Sequence, residues 1–271
     1  MVERLLLAIP AVIWLAVVLI PISYAVIQTL KTQADALASS PWSLSSPTFA
    51  NYQTVFGVQI LHYLLNSVLT SVGAVLLSTL CGSLAAYALA RLPHRANTFL
   101  YLLFVSGLAV PIYASIIPIY RLSISLNLYD TLPGILFPFA GTSLPITVFI
   151  LTAFMRGIPD ELEQAMQIDG AGVFRRYLQL ALPLARPALA TVAVFAFIGN
   201  WNNFVIPLIL TQSDDVRTLP LAIWNYQGQY GMNVPLVLTV VVLSTLPLLI
   251  FYILQRRNFI QGLTAGALSA T

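Results

Sequence analysis

Apolar residues gather into six long runs, near 5–30, 62–90, 98–120, 134–155, 188–210 and 233–254, separated by polar or proline- and glycine-rich segments. Crossing about 30 Å of hydrocarbon takes about 20 helical residues, which each run supplies. In lipid a helix satisfies its own backbone N–H and C=O groups. The pattern therefore predicts an all-α integral membrane protein with six transmembrane helices, forming a single domain over residues 1–271. The first run follows Met1-Val2-Glu3-Arg4 and exceeds the apolar core of roughly 7–15 residues found in secretory signals, so it reads as a retained span. Prolines lie in many runs (Pro10, Pro21, Pro111, Pro118, Pro138, Pro145, Pro207, Pro235 and Pro247). Kinks are expected there, serving either packing or gating.

Charge sets the direction of the spans. With a cytoplasmic N-terminus, Arg4, Arg91, Arg95, Arg156, Arg175, Arg176, Arg186, Arg256 and Arg257 fall inside, and only Lys31, Arg121 and Arg217 fall outside. The positive-inside rule then puts both termini in the cytoplasm. The outer side receives the segments near 31–61, 121–133 and 211–232. The inner side receives 91–97 and the longer segment 156–187.

Composition narrows the function. Only 8% of residues are charged and 59% are apolar, against about 25% charged in a soluble domain. No basic stripe points to nucleic acid. The single cysteine, Cys81, forms no internal disulfide, and His62 and His94 stand apart without partner ligands. No run carries Asp, Glu, Lys or Arg centrally, which argues against a carboxylate proton relay. Sodium coupling through backbone carbonyls stays open. A P-loop needs a glycine-rich approach to its lysine, and the sole lysine, Lys31, follows Gln28-Thr29-Leu30. The chain is therefore expected to bind no cofactor and catalyse no reaction. Six helices make a small bundle, which implies a second membrane subunit. The competing reading is a subunit of a secondary carrier or channel that works without ATP.

The segment 156–187 carries the most specific signal. Asp160 reads as an N-cap with Glu163 at the third helical position, a variant of the capping box. A short helix is expected to about Ile168, broken at Asp169-Gly170, with a second helix running to Leu182. Leu162, Ala165, Met166 and Ile168 leave the first helix partly apolar. It either lies on lipid or docks a cytoplasmic partner.

Gln164-Ala165-Met166, three residues, Gly170, nine residues and Leu180-Ala181-Leu182-Pro183 resemble the EAA loop of bacterial ABC importer permeases, E-A-A-x3-G-x9-I-x-L-P. The spacing is intact. Gln164, Met166 and Leu180 depart from the motif. Ile168-Asp169-Gly170-Ala171, Leu182-Pro183-Leu184-Ala185-Arg186-Pro187, Trp201-Asn202-Asn203-Phe204 and Gln261-Gly262-Leu263-Thr264-Ala265-Gly266 resemble the carbohydrate, MalG-like branch, as do Asn51-Tyr52 and Asn66-Ser67.

The resemblance implies a permease subunit of a binding-protein-dependent sugar importer in the bacterial cytoplasmic (inner) membrane. Its partners would be a second, different permease, two ATPase subunits holding the ATP and Mg, and an extracytoplasmic binding protein. Asp160, Glu163, Gln164, Ala165, Met166, Asp169, Gly170 and Ala171 would form the coupling helix and its turn between spans 4 and 5. Gly262, Leu263, Thr264 and Gly266 would reach the ATPase from the tail. Asn66, Asn200, Trp201, Asn202 and Asn203 are polar positions within spans. They serve either the solute path or hydrogen bonds between helices. Gln227, Gln229 and Tyr230 either touch the binding protein or belong, with Trp224 and Tyr226, to an interfacial aromatic belt.

Overall fold

A proline pushes the residue before it out of the α region, and one such pair decides the course of the third apolar run. Val110 is extended (φ −77°, ψ 112°) ahead of Pro111. The expected single span over 98–120 is thus two helices, Asn97–Ser106 and Ile112–Ser125. The stretches Asn97–Ala109 and Ile112–Ser125 meet at 104°. Pro10, Pro21, Pro118, Pro138, Pro145 and Pro247 instead lie inside helices.

The computed structural model describes the backbone of residues 2–57, 60–228 and 231–268 and the side chains of 8–57, 60–227 and 231–253. The helices are α1 (Val2–Thr29), α2 (Gln33–Ala38), α3 (Ala50–Gly57), α4 (Ile60–Arg91), α5 (Asn97–Ser106), α6 (Ile112–Ser125), α7 (Leu132–Arg156), α8 (Asp160–Ile168), α9 (Val173–Arg176), α10 (Leu182–Leu184), α11 (Arg186–Trp201), α12 (Val205–Leu210) and α13 (Val234–Leu268). A π turn, Tyr177–Ala181, joins α9 to α10, and a two-residue hairpin pairs Gln227 with Met232. Four helices are long and apolar enough to cross a membrane, or up to six spans if each bent pair counts as one. The second bent pair is Val173–Leu184 with Arg186–Trp201, at 75°. The fifth run, expected as one helix over 188–210, ends instead at Trp201 and resumes at Val205.

The chain forms two compact units, Met1–Leu64 with Thr218–Pro247, and Leu65–Arg217 with Leu248–Thr271. In the first, the segment expected as an outer loop is folded. Asn51 Nδ2 donates to Thr29 O (2.8 Å) and Lys31 O (2.7 Å), satisfying carbonyls at the end of α1. Lys31 is buried and its ammonium donates to Ser40 O (2.8 Å) and Ser39 Oγ (3.2 Å). The side chain of Gln33 bonds Met232 O and Val234 N, tying α2 to the hairpin. The outer face of α1, with Trp14, Ile13 and Val12, is apolar and exposed, as lipid-facing side chains are.

The second unit packs α4 and α7 around two cores, with α11 in one and α12 in the other. One joins Tyr87, Met155, Tyr177 and Val192, and the other joins Ala74, Phe139, Ile206 and Leu210. Small residues allow close helix approach. A Cβ on Gly82 would stand 2.5 Å from the Thr147 side chain. Asn66 and Arg91 mark two ends of α4 about 37 Å apart at 1.5 Å per residue. At the first, Asn66 Nδ2 donates to Asp215 O (2.8 Å) and Arg217 O (2.9 Å). At the second, Arg91 meets the segment that opens α8.

Candidate functional site

Two features of the second unit concentrate polar groups: a helical elbow at the Arg91 end of α4, and a cavity beside the broken third run.

The elbow starts where α7 ends. Its sequence expectations hold for the helix Asp160–Ile168 and for the break after it. The turn is a Schellman motif. The N–H of Ala171 donates to Met166 O (2.9 Å) and that of Gly170 to Gln167 O (3.0 Å), so two carbonyls at the helix end are satisfied. Gly170 has φ +77°, a conformation glycine adopts without steric cost.

The capping expectation is corrected. Pro159 is the N-cap, without a side-chain bond, and Asp160 is the first helical residue. Its carboxylate is drawn instead to Arg91, whose guanidinium also donates to Met155 O and Ile158 O. Glu163 does not reach back to the cap either. It is buried, pairs with Arg176 Nη1 at 3.3 Å and accepts from Tyr87 OH at 3.3 Å. Tyr87 packs on Tyr177 (5.3 Å between centroids), and Tyr177 OH shares a hydrogen bond with Ser83 Oγ (2.8 Å). The π turn at Tyr177–Ala181 lies in this contact, and π turns recur at functional sites. Glu163 and Ala171 therefore face inward, whereas Gln164, Ala165, Asp169 and Gly170 are exposed and Met166 is half-buried. Exposed Ile168 (87%) and Phe174 (66%) leave an apolar tip.

The cavity has a volume of about 510 Å³. Its wall includes Gly107 and Val110 from the break, Gly141 and Ser143 from α7, and Phe195 and Gly199 from the end of α11. Only part of the expected asparagine cluster meets there. Asn200 and Asn203 line it. Trp201 is buried against Phe197 (5.4 Å, stacked). Asn202 Nδ2 donates to Ile198 O (3.1 Å), within its own helix. Asn66 lies at the far end of α4, holding the 215–217 carbonyls. The apolar pattern gave no sign of Ser115 or Phe195, which also line the cavity; the clue available was Gly107-Leu108-Ala109-Val110-Pro111, a helix-breaking string inside an apolar run.

A third polar contact lies in the 126–131 turn. Asp130 has φ 57° and accepts from Gln212 N (2.8 Å) and Ser213 N (3.0 Å). Burial pushes its carboxyl up, but the two backbone N–H bonds outweigh this and hold it below the usual carboxylate range. Gln227 is exposed in the hairpin, while Gln229 and Tyr230 lie outside the described residues. The tail backbone, including Gly262, Leu263, Thr264 and Gly266, continues α13 as helix to Leu268, and its side chains lie outside the described set. Among the described residues, no group of three or more His, Cys, Asp or Glu is placed to hold a metal.

Residues 78–260 match the family model described as "Binding-protein-dependent transport system inner membrane component". The chain is 41% identical over 256 residues to a Caldicellulosiruptor sp. chain named as an ABC transporter permease protein, covering 94% of this chain and 93% of that one. It is 32% identical over 259 residues to the diacetylchitobiose uptake system permease protein of Streptomyces coelicolor, covering 94% and 85%. In fold it is similar to a chain of the crystal structure of a bacterial ABC transporter for alginate import. The TM-score is 0.81 at 21% identity, over 95% of this chain and 96% of that one. The chain belongs to the family of binding-protein-dependent transport system inner membrane components, multi-pass permease subunits of ABC transporters whose ATPase is a separate subunit.

Proposed function

We propose that the chain is one of two different permease subunits of an ATP-driven sugar importer, and that its elbow, Asp160–Leu184, is the joint to the ATPase. On this reading six spans cross the membrane with both termini cytoplasmic, the third made of Asn97–Ala109 with Ile112–Ser125 and the fifth of Arg186–Trp201 with Val205–Leu210, while Val173–Leu184 stays with the elbow. One domain covers 1–271, with 156–187 as the coupling loop. The relatives in carbohydrate uptake support the cargo class.

The observation that carries the coupling role is the division of labour on α8. Its root is tied to α4 and α9, through exposed Asp160 to buried Arg91 and through buried Glu163 to Arg176, while Gln164, Ala165, Asp169 and Gly170 stay exposed beside apolar Ile168. A tip with an exposed apolar end and a rigid root passes force instead of folding under it. Arg156, Arg175 and Arg176 share this side of the unit, while Arg217 sits with Asn66 at the other end of α4, as the charge rule requires. ATP-driven closure of two ATPase subunits would move the elbow and switch the spans between two discrete packings. The loaded binding protein biases the same equilibrium from outside, with Gln227, Gln229 and Tyr230 as its contacts. Gly262, Leu263, Thr264 and Gly266 reach the ATPase from the tail.

The test is Gly170→Pro in the reconstituted importer. It is expected to abolish uptake while membrane insertion and subunit assembly persist. Normal uptake in that variant rejects the joint.

A further inference from the structure

Two breaks in α-helical backbone, Gly107–Pro111 (a 3₁₀ turn leading into extended Val110) and Asn202–Phe204, interrupt apolar runs in the second unit. At membrane depth such backbone is tolerated only where protein buries it or where it lines a cavity, and broken helices mark binding sites in transporters. Gly107, Val110 and Asn203 from these stretches line the same 510 Å³ cavity. That volume falls within the range of small-molecule sites, about 300–1,000 Å³.

The lining has a definite chemistry. None of its residues is charged, so an anionic or cationic solute would lose its hydration without a counter-ion. Ser115 is half-buried and its hydroxyl has no hydrogen bond among the described residues. Asn203 Oδ1 accepts from Ile206 N (3.0 Å), which leaves its Nδ2 to donate. Asn200 is 5% exposed, with a 3.4 Å contact from Ser143 Oγ to Oδ1 and no partner for Nδ2 among the described residues. A buried donor without an acceptor is destabilising, and a turn of this amide toward the cavity would let a ligand hydroxyl accept from it. Phe195, 43% exposed, adds an aromatic face.

We propose that this chain itself supplies a subsite for a neutral sugar, with Ser115, Asn200 and Asn203 bonding hydroxyls and Phe195 packing on an apolar ring face. The proposal rests on the sugar-permease reading above and adds that this subunit contacts the solute directly. Gly141 and Gly199 line the cavity and leave open space where a Cβ would stand, so a substitution there begins without a clash and extends from the wall.

The experiment uses the complete importer, with binding protein and ATPase, in proteoliposomes. A labelled panel of neutral di- and trisaccharides, including trehalose, melibiose and diacetylchitobiose, is offered first. If none is taken up, the sugar reading fails and the subsite fails with it. With a transported sugar in hand, Gly199→Leu is expected to cut uptake at least tenfold while assembly and sugar-independent ATP hydrolysis hold. Unchanged uptake overturns the subsite but leaves the sugar reading standing. A cysteine at Gly199, with Cys81→Ser, is then labelled by a water-soluble methanethiosulfonate. Excess sugar is expected to slow labelling about fivefold or more, and Ser115→Cys serves the same purpose where Gly199→Cys does not assemble. Equal rates with and without sugar, or labelling only by a lipid-soluble maleimide, assign the cavity to lipid or to the second permease and overturn the proposal.

Discussion

The Glu163–Arg176 pair decides whether the elbow is rigid, and its loss has a calculable size. The two side chains are 11% and 14% exposed, respectively, and 3.3 Å apart. Breaking a buried pair by removing one partner costs about 3–5 kcal/mol, because the other charge is left uncompensated. An exposed pair costs about 0–1 kcal/mol. At this depth the lower end of the buried range, about 3 kcal/mol, applies to Glu163→Met. At 1.4 kcal/mol per tenfold that is about a hundredfold rise in the open population of the elbow. Arg176→Met should act similarly, although it also gives up the 3.4 Å contact to Gln167. The double variant replaces both charges with apolar volume and should recover most of the loss. Hydrogen exchange of amides 160–176 in the assembled importer reads the local opening free energy. ATP hydrolysed per sugar moved, measured on the same samples, reads coupling and should rise in the single variants only. Single variants within 1 kcal/mol of wild type, or a double variant as open as the two losses added together, would refute the reasoning.

Other perturbations follow from the same geometry. Asn66→Ala strips the donor from Asp215 O and Arg217 O and should cost about 1–3 kcal/mol, seen as faster proteolysis of the 212–217 segment with α4 intact. Gly170→Ala places a side chain at φ +77° and should cost about 1–2 kcal/mol, lowering coupling far less than Gly170→Pro. Asp130 has a depressed pKa, so its stabilisation is full above the unfolded carboxyl value of about 3.9 and is lost as pH falls through the lower folded value. Asp130→Asn should therefore lower the melting temperature at pH 7 and converge with wild type in acid; a gap that persists unchanged in acid would reject the charge-based account. Tyr87→Phe removes one bond to Glu163 and should open the elbow by about 0.5–1.5 kcal/mol, well short of Glu163→Met in the same exchange measurement.

Local signals in the chain settle a good deal. Charge-free runs of about 20 residues point to helical membrane segments, because hydrocarbon forbids unpaired backbone groups, although the third and fifth runs are each broken into two helices. The helix Asp160–Ile168 and its glycine stop are likewise local, since termination depends on one residue's access to positive φ. The spacing of Gln164, Gly170 and Pro183 is legible for the same reason.

Contacts between distant residues settle the rest. Asp160 and Glu163 read locally as capping groups, yet Arg91 and Arg176 bid higher for their carboxylates, 69 and 13 residues away in sequence. Four neighbouring polar positions, Asn200 to Asn203, read as one cluster but divide between a cavity wall, a core and two helix ends. Pro111 breaks its run whereas Pro118 does not; which proline a helix accepts depends on whether its neighbours can satisfy the freed carbonyls. Pattern along the chain fixes solvent and period. Which partner each buried polar group finds is fixed only when the helices pack, because that is when its alternatives in water disappear.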